Sequence, residues 1–147
     1  MYHGAMDEYR HGPHTVFSIH LHLVWITKYR KPVLSGEVGL RVRDLIREIC
    51  GQQEVQIIKG HVSKDHVHLF LSVPPQATIS RLVQRLKGKT AYKMLQEFAH
   101  LRKQFWGRHL WARGYFCCSS GNVTDEMIVK YIEEQDKGDE DFRVEGS

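Results

Sequence analysis

Two pairs of histidines sit two residues apart in runs that otherwise read as buried strand. His66 and His68 lie in KDHVHLFLSV (64–73), and His20 and His22 lie in IHLHLVW (19–25). Successive strand side chains point to opposite faces, so the members of each pair share a face. Two imidazoles on one face can reach a single metal ion and leave room for a third ligand. The spacing alone is weak, because ten histidines in 147 residues produce about 0.7 such pairs by chance. Partly exposed histidines satisfied by water or carbonyls would also account for either pair. In the 66–73 run, Val67, Leu69, Leu71 and Val73 form an apolar face, and His66, His68, Phe70 and Ser72 form the other. Nothing within the two runs ranks one pair above the other.

A further segment bears on the question. In TDEMIVKYIEEQ (124–135), Tyr131 and Gln135 are one helical turn apart and face the same way. A tyrosine projecting toward two histidines and a metal can attack a phosphodiester. A free phenol, with a pKa near 10, is a poor nucleophile at neutral pH. A divalent ion on the scissile phosphate compensates by neutralising charge and polarising phosphorus. The products are a 5′-phosphotyrosine and a free 3′-OH. The adduct keeps the bond energy, so rejoining needs no ATP. Gln135 offers a neutral oxygen ligand. Taken alone, Tyr131 reads more simply as a core or interface tyrosine on an amphipathic helix.

The elements that must position these residues follow from periodicity and punctuation. TVFSIHLHLVWIT (15–27) alternates and is rich in β-formers, so a strand is expected, ended by the basic run KYRKP. Ser35 starts a helix over about 36–50, with Val38, Val42, Leu45, Ile46 and Ile49 as its apolar face and Gly51 as its stop. Strands follow at 54–62 and 66–73, the latter ended by Pro74-Pro75. A long helix is expected over about 78–100, with Gly88 weakening its middle and a candidate to break it. An irregular stretch carrying Phe105, Trp106 and Trp111 leads to a strand, GYFCCSS. Gly121-Asn122 turns the chain, and Thr124 caps a last helix to about Gln135. The order β-α-β-β-α-β matches an α+β, ferredoxin-like (RRM-like) antiparallel sheet with an added C-terminal helix. That topology makes the first and third strands neighbours and brings the two histidine pairs together.

Length and composition suit one domain, expected over 15–137, between a flexible N-terminal tail (1–14) and an acidic flexible tail (138–147). No apolar run reaches the roughly 18 residues of a membrane helix, and the N-terminus lacks a signal-peptide apolar core, so a cytoplasmic protein is expected. Cys50, Cys117 and Cys118 form no CxxC and are expected to be reduced core cysteines, with the neighbouring pair on opposite strand faces. Residues 81–113 hold nine Lys/Arg against a single carboxylate, Glu97, whereas 125–147 hold nine Asp/Glu against three Lys/Arg. A basic middle of this kind suggests a polyanionic partner.

DHVHLF followed some sixty residues later by YIEEQ resembles the single-tyrosine HUH (His, hydrophobic, His) transposases of the bacterial insertion sequence 200/605 family. LHLVWITKYRKPVL (21–34), LKGKTAYKM, LWARGYF and SSGNVT resemble further pieces of that family in order and spacing, over nearly the whole folded chain. The resemblance implies that His66, His68 and Gln135 are metal ligands for Mg2+ or Mn2+ and that Tyr131 is the nucleophile. It places His22 near the site with no assigned role, and assigns His20 none. It also implies a homodimer that cleaves and rejoins single-stranded DNA at hairpin-marked element ends, in the cytoplasm of a bacterium or archaeon, in association with the nucleoid. Candidates for phosphate contacts are Lys28, Arg30, Lys31, Arg81, Arg85, Lys87, Lys89 and Lys93. Phe105, Trp106 and Trp111 could stack on splayed bases, but are expected mainly in the core. Gly121 is a turn glycine and a candidate hinge.

Two other readings stay open on the sequence. One is a domesticated relative nicking chromosomal repeat hairpins. The other is a non-catalytic, RRM-like nucleic-acid-binding module with incidental histidines. A zinc deaminase is disfavoured, since HxE with PCxxC is lacking. A histidine-triad hydrolase is disfavoured because Phe70 stands at the third position.

Overall fold

The computed structural model describes residues 10–11, 16–17, 19–106, 108–119 and 125–135. The strands are β1 (Arg10–His11), β2 (Val16–Phe17), β3 (Ile19–Ile26), β4 (Gln56–Val62), β5 (His66–Val73) and β6 (Phe116–Ser119). The helices are α1 (Gly36–Gln52), α2 (Ile79–Glu97), α3 (Ala99–Gln104) and α4 (Asp125–Gln135). β1 and β2 pair as a small antiparallel ladder. The main sheet has the order β4-β5-β3-β6 with every neighbouring pair antiparallel. This is the expected ferredoxin-like α+β sheet with a helix added after its last strand.

Alternation explains which face is buried. Leu21, Leu23 and Trp25 of β3 and Val67, Leu69, Leu71 and Val73 of β5 point into one core. α1 covers it with Val38, Val42, Leu45, Ile46 and Ile49, and α2 with Leu82, Val83, Leu86, Met94 and Leu95. Each such side chain contributes roughly 1.5–3 kcal/mol when fully buried. This apolar layer therefore holds the sheet and leaves its other face available for polar chemistry.

Several element boundaries differ from expectation; among the strands, the one expected over 15–27 is observed as Val16–Phe17 and Ile19–Ile26, and the one expected from 54 starts at Gln56. α1 does not stop at Gly51 but runs to Gln52, and Glu54 takes the left-handed backbone (φ 57°) expected of a terminal glycine. α2 passes through Gly88 unbroken, because Leu86, Thr90 and Met94 on either side are buried and outweigh a glycine cost of about 1 kcal/mol. It ends instead at Phe98, whose extended backbone (φ −115°, ψ 101°) separates α2 from α3. α3 lies in the stretch expected to be irregular.

Cys50 is buried as expected, but Cys117 is exposed, since β6 is a short edge strand. Cys117 pairs with Leu23 and Cys118 with His22, so the two cysteines do take opposite faces. Gly121, Thr124, the acidic tail and most of residues 1–14 lie outside the described residues. No described helix is long and apolar enough to cross a membrane.

Candidate active site

The β3–β5 register decides which polar residues meet. His20 pairs with Ser72, His22 with Phe70, Val24 with His68 and Ile26 with His66. Directly paired residues share a face, so both histidine pairs lie on the side away from α1 and α2. His22 stacks on Phe70, with ring centroids 4.5 Å apart and planes 14° apart. Its Nδ1 lies 2.9 Å from Nε2 of His68. His20 meets Phe70 edge to face. The two pairs thus form one imidazole-rich surface with Phe70 as its floor.

His66 is built in more firmly. It is 4% exposed, and its Nδ1 lies 2.8 Å from Oδ1 of Asp65. With the proton on Nδ1 donated to the carboxylate, Nε2 keeps its lone pair for a ligand. A carboxylate behind an imidazole is the arrangement that orients metal-binding histidines. The other oxygen of Asp65 accepts from Nε and Nη2 of Arg30, both at 2.8 Å. Arg30 and Asp65 side chains are 5% and 3% exposed. Burial pushes the Asp65 carboxyl up, but the hydrogen bonds from His66 and Arg30 and the charge of Arg30 together hold it below the ordinary carboxylate range.

The local chain explains how Arg30 reaches this position. Tyr29 and Arg30 both adopt left-handed backbone (φ 59° and 51°). This tight turn sends the guanidinium under the end of β5. The turn is tied to the segment before β5 by Thr27 N–H to Asp65 O (3.0 Å) and Leu34 N–H to Lys64 O (2.8 Å). Arg30, a candidate for phosphate contact, is thus committed to an interior ion pair. The His66–Asp65–Arg30 chain was invisible to motif reading. The only sequence signal for it is an aspartate immediately before the first histidine and an arginine in the preceding basic turn.

α4 completes the face. Ile128 and Ile132 pack on Val24 and Ile26 of β3, with Tyr131 and Phe116 at the edge of the same cluster. The Tyr131 and Phe116 rings are 5.4 Å apart. Phe116 pairs with Val24 on one side and His68 pairs with Val24 on the other. Strands are spaced about 4.8 Å apart, so Tyr131 packs on the sheet roughly 10 Å across from the histidine strand. Its hydroxyl is buried with no hydrogen-bond partner among the described residues, and burial pushes the phenol up to about 12. Gln135 is the last residue of α4, and its side chain lies outside the described residues.

No group of three His, Cys, Asp or Glu is gathered for a metal among the described residues. The donors present fit an ion held by two imidazoles and completed by oxygen. His66 and His68 would hold such an ion, and His22 would lie beside it, since its Nδ1 is 2.9 Å from Nε2 of His68.

The basic candidates separate by environment. Arg81, Arg85, Lys89 and Lys93 are exposed on α2. Lys31 donates to the carbonyl of Gln104 (3.3 Å) and lies over the Phe105 ring, and Lys28 lies over Tyr29. Lys87 is half-buried, with its ammonium donating to the carbonyls of Ala112 (2.7 Å) and Gly114 (2.8 Å), and burial lowers its pKa. Lys87→Met should therefore cost about 2 kcal/mol in urea unfolding, whereas Lys89→Met should stay within about 0.5 kcal/mol. Equal midpoints for the two variants would refute a fixing role for Lys87. Among the aromatics, Phe105 and Trp111 are buried as expected, but Trp106 is 86% exposed.

Comparison with known proteins agrees with this architecture. The family model described as "Transposase IS200 like" matches residues 15–135. The chain is 38% identical over 128 residues to the ISDra2 transposase TnpA of Deinococcus radiodurans, covering 87% of this chain and 91% of that one. It is 29% identical over 133 residues to the transposase for insertion sequence element IS200 of Salmonella typhimurium, covering 89% and 88%. A crystal structure of a transposase from D. radiodurans R1 superposes with a TM-score of 0.80 at 36% identity, over 86% of this chain and 97% of the other. A REP-associated tyrosine transposase solved with a REP hairpin shares the fold, with a TM-score of 0.55 at 13% identity over 88% and 74%. The chain belongs to the IS200-like transposase family, whose enzymes cleave DNA and transfer its strands.

Proposed function

We propose that this transposase cleaves and rejoins single-stranded DNA at hairpin-marked element ends through a 5′-phosphotyrosine on Tyr131. The observation that carries the reading is the shared sheet face. His66, oriented by Asp65, and His68 lie on the sheet face against which α4 packs, with Tyr131 roughly 10 Å across from their strand. His66 and His68 would hold a divalent ion, with Gln135 as third ligand. Bound there, the ion would neutralise charge on the scissile phosphate and polarise phosphorus. Tyr131 Oη attacks phosphorus and loses its proton, and the 3′-oxygen leaves with a proton as a free 3′-OH. Attack by another 3′-OH on the phosphotyrosine reverses the step and joins the strands.

Burial in the cluster with Phe116 keeps the phenol protonated and away from solvent. Reaction therefore requires Tyr131 to leave that cluster and face the histidines. The exposed cations Arg81, Arg85, Lys89 and Lys93 would hold the DNA backbone. A second copy of the chain would form the functional dimer.

The test is incubation with single-stranded oligonucleotides copied from the DNA flanking the gene, with Mg2+ or Mn2+, followed by a denaturing gel. A shifted, denaturation-resistant band that chelator abolishes is expected. Tight binding of hairpin-bearing ends with no adduct in either metal would replace this reading with a non-catalytic binding module.

A further inference from the structure

Two large aromatic side chains stand in solvent at backbone positions suited to glycine. Tyr29 has φ 59° and is 70% exposed, and Trp106 has φ 55° and is 86% exposed. Left-handed backbone is uncommon for any residue with a Cβ and is strained for bulky ones. Trp106 follows Phe105, the C-cap of α3, at the position where a glycine is the ordinary solution. Neither ring fills the core, since the core aromatic of that segment is its neighbour Phe105. The fold thus carries two exposed aromatics where it would be easier without them.

Their surroundings say what they would meet. The two segments are joined, with Lys28 N–H donating to Leu110 O (2.8 Å) and Lys31 Nζ donating to Gln104 O while lying 5.5 Å from the Phe105 ring centre. Lys28 Nζ sits 5.3 Å from the Tyr29 ring centre, and Arg108 is exposed beyond Trp106. The same turn is tied by Thr27 N–H to the carbonyl of Asp65, the residue before His66. Exposed aromatic rings between cations suit unpaired nucleotides, whose bases stack while their phosphates pair with the ammonium and guanidinium groups. A second copy of the chain would bring the same positive charges against these.

We infer that Tyr29 and Trp106, with Lys28, Lys31 and Arg108, form a stacking surface for unpaired bases of the bound DNA strand. This rests on the single-stranded substrate proposed above. The stacking is sequence-tolerant, because every base has a π-face.

Intrinsic fluorescence reads the surface directly. Of the three tryptophans, Trp25 and Trp111 are 0% and 6% exposed, so quenching by added DNA reports Trp106. Titration of the full chain with an unlabelled oligodeoxythymidylate should give saturable quenching, and a blunt hairpin without an unpaired flank should not. Trp106→Gly should abolish the signal. In a fluorescence-anisotropy competition it should weaken oligonucleotide binding on the order of tenfold. Its melting temperature should hold or rise, since glycine suits that backbone. Tyr29→Asn should weaken binding similarly. Arg108→Gln should instead lower the salt slope of log K by about 1.

Unchanged affinity in both aromatic variants, quenching by the blunt hairpin, or a dimer turned to monomer by Trp106→Gly would overturn the inference. Adduct assays on the same samples separate the two readings. Adduct formation with unaffected affinity refutes the stacking surface alone. Trp106-dependent quenching without any adduct refutes the tyrosine chemistry alone. No binding of single strands refutes both.

Discussion

Tyr131→Phe should abolish covalent adduct and strand cleavage, a loss on the order of 10⁴-fold or more for removal of a nucleophile, while leaving the fold as stable or more stable. The two effects run in opposite directions for one reason. The hydroxyl is buried against Phe116 and the Val24–Ile26–Ile128–Ile132 cluster and has no partner among the described residues. An unsatisfied buried hydroxyl costs about 1–3 kcal/mol, and phenylalanine keeps the ring while removing that cost. Measured by urea unfolding, the variant should gain up to about that amount. The gain should grow in alkali. The folded phenol titrates at about 12 and the unfolded one near 10. A raised acid contributes its full stability below the unfolded value and loses it as pH rises through the folded value. Wild type should therefore lose stability relative to the variant between about pH 10 and 12. A variant that is less stable than wild type at neutral pH would mean that the hydroxyl is satisfied in the resting protein. A variant that still forms adduct would remove Tyr131 from the chemistry.

Asp65→Ala should be the most damaging single change outside the nucleophile. It leaves the Arg30 guanidinium, 5% exposed, without its carboxylate, and breaking a buried pair from one side costs about 3–5 kcal/mol. That is a large share of the 5–15 kcal/mol typical of a whole domain. It also frees His66 Nδ1, and loss of such a carboxylate lowers metal affinity about 10–100-fold. The pairing holds the Asp65 carboxyl below its ordinary value. Its contribution is present above about pH 4 and is lost as pH falls through the lower folded value. Arg30→Met with Asp65→Leu separates the two roles. Replacing a buried ion pair by packed apolar residues is often neutral, so the double variant should regain most of the stability. It should still bind Mn2+ weakly by electron paramagnetic resonance titration, because His66 has no carboxylate behind it. Wild-type Mn2+ affinity in a folded double variant would show that the Arg30–Asp65 pair serves the fold alone.

Much of this site was legible in the chain because its signals are local. Period-two alternation sorted Val67, Leu69, Leu71 and Val73 from His66, His68, Phe70 and Ser72, and β5 has the expected limits. The apolar stripe of α1 is the one expected from the 3.6-residue period. The order of elements led to the sheet order, since a split βαβ unit has few ways to close. What spacing alone could not rank was the pair of histidine pairs. They are one surface, joined by a register that pairs Val24 with His68 across 44 positions of sequence.

Other features depend on which distant segments touch. Arg30 looked like any cation in KYRKP, and its burial against Asp65 comes from a left-handed turn that alternation and helix periodicity do not encode. Lys87 lies in a run of basic residues, yet it faces the carbonyls of a loop twenty-five residues on. Phe105 and Trp106 are adjacent aromatics of similar hydrophobicity, and one is buried while the other is 86% exposed. Residue type measures how strongly a side chain favours burial. Whether it is buried depends on the direction of the backbone at that position and on what packs against it. At Phe105 the backbone directs the ring inward, and at Trp106 it directs the ring into solvent.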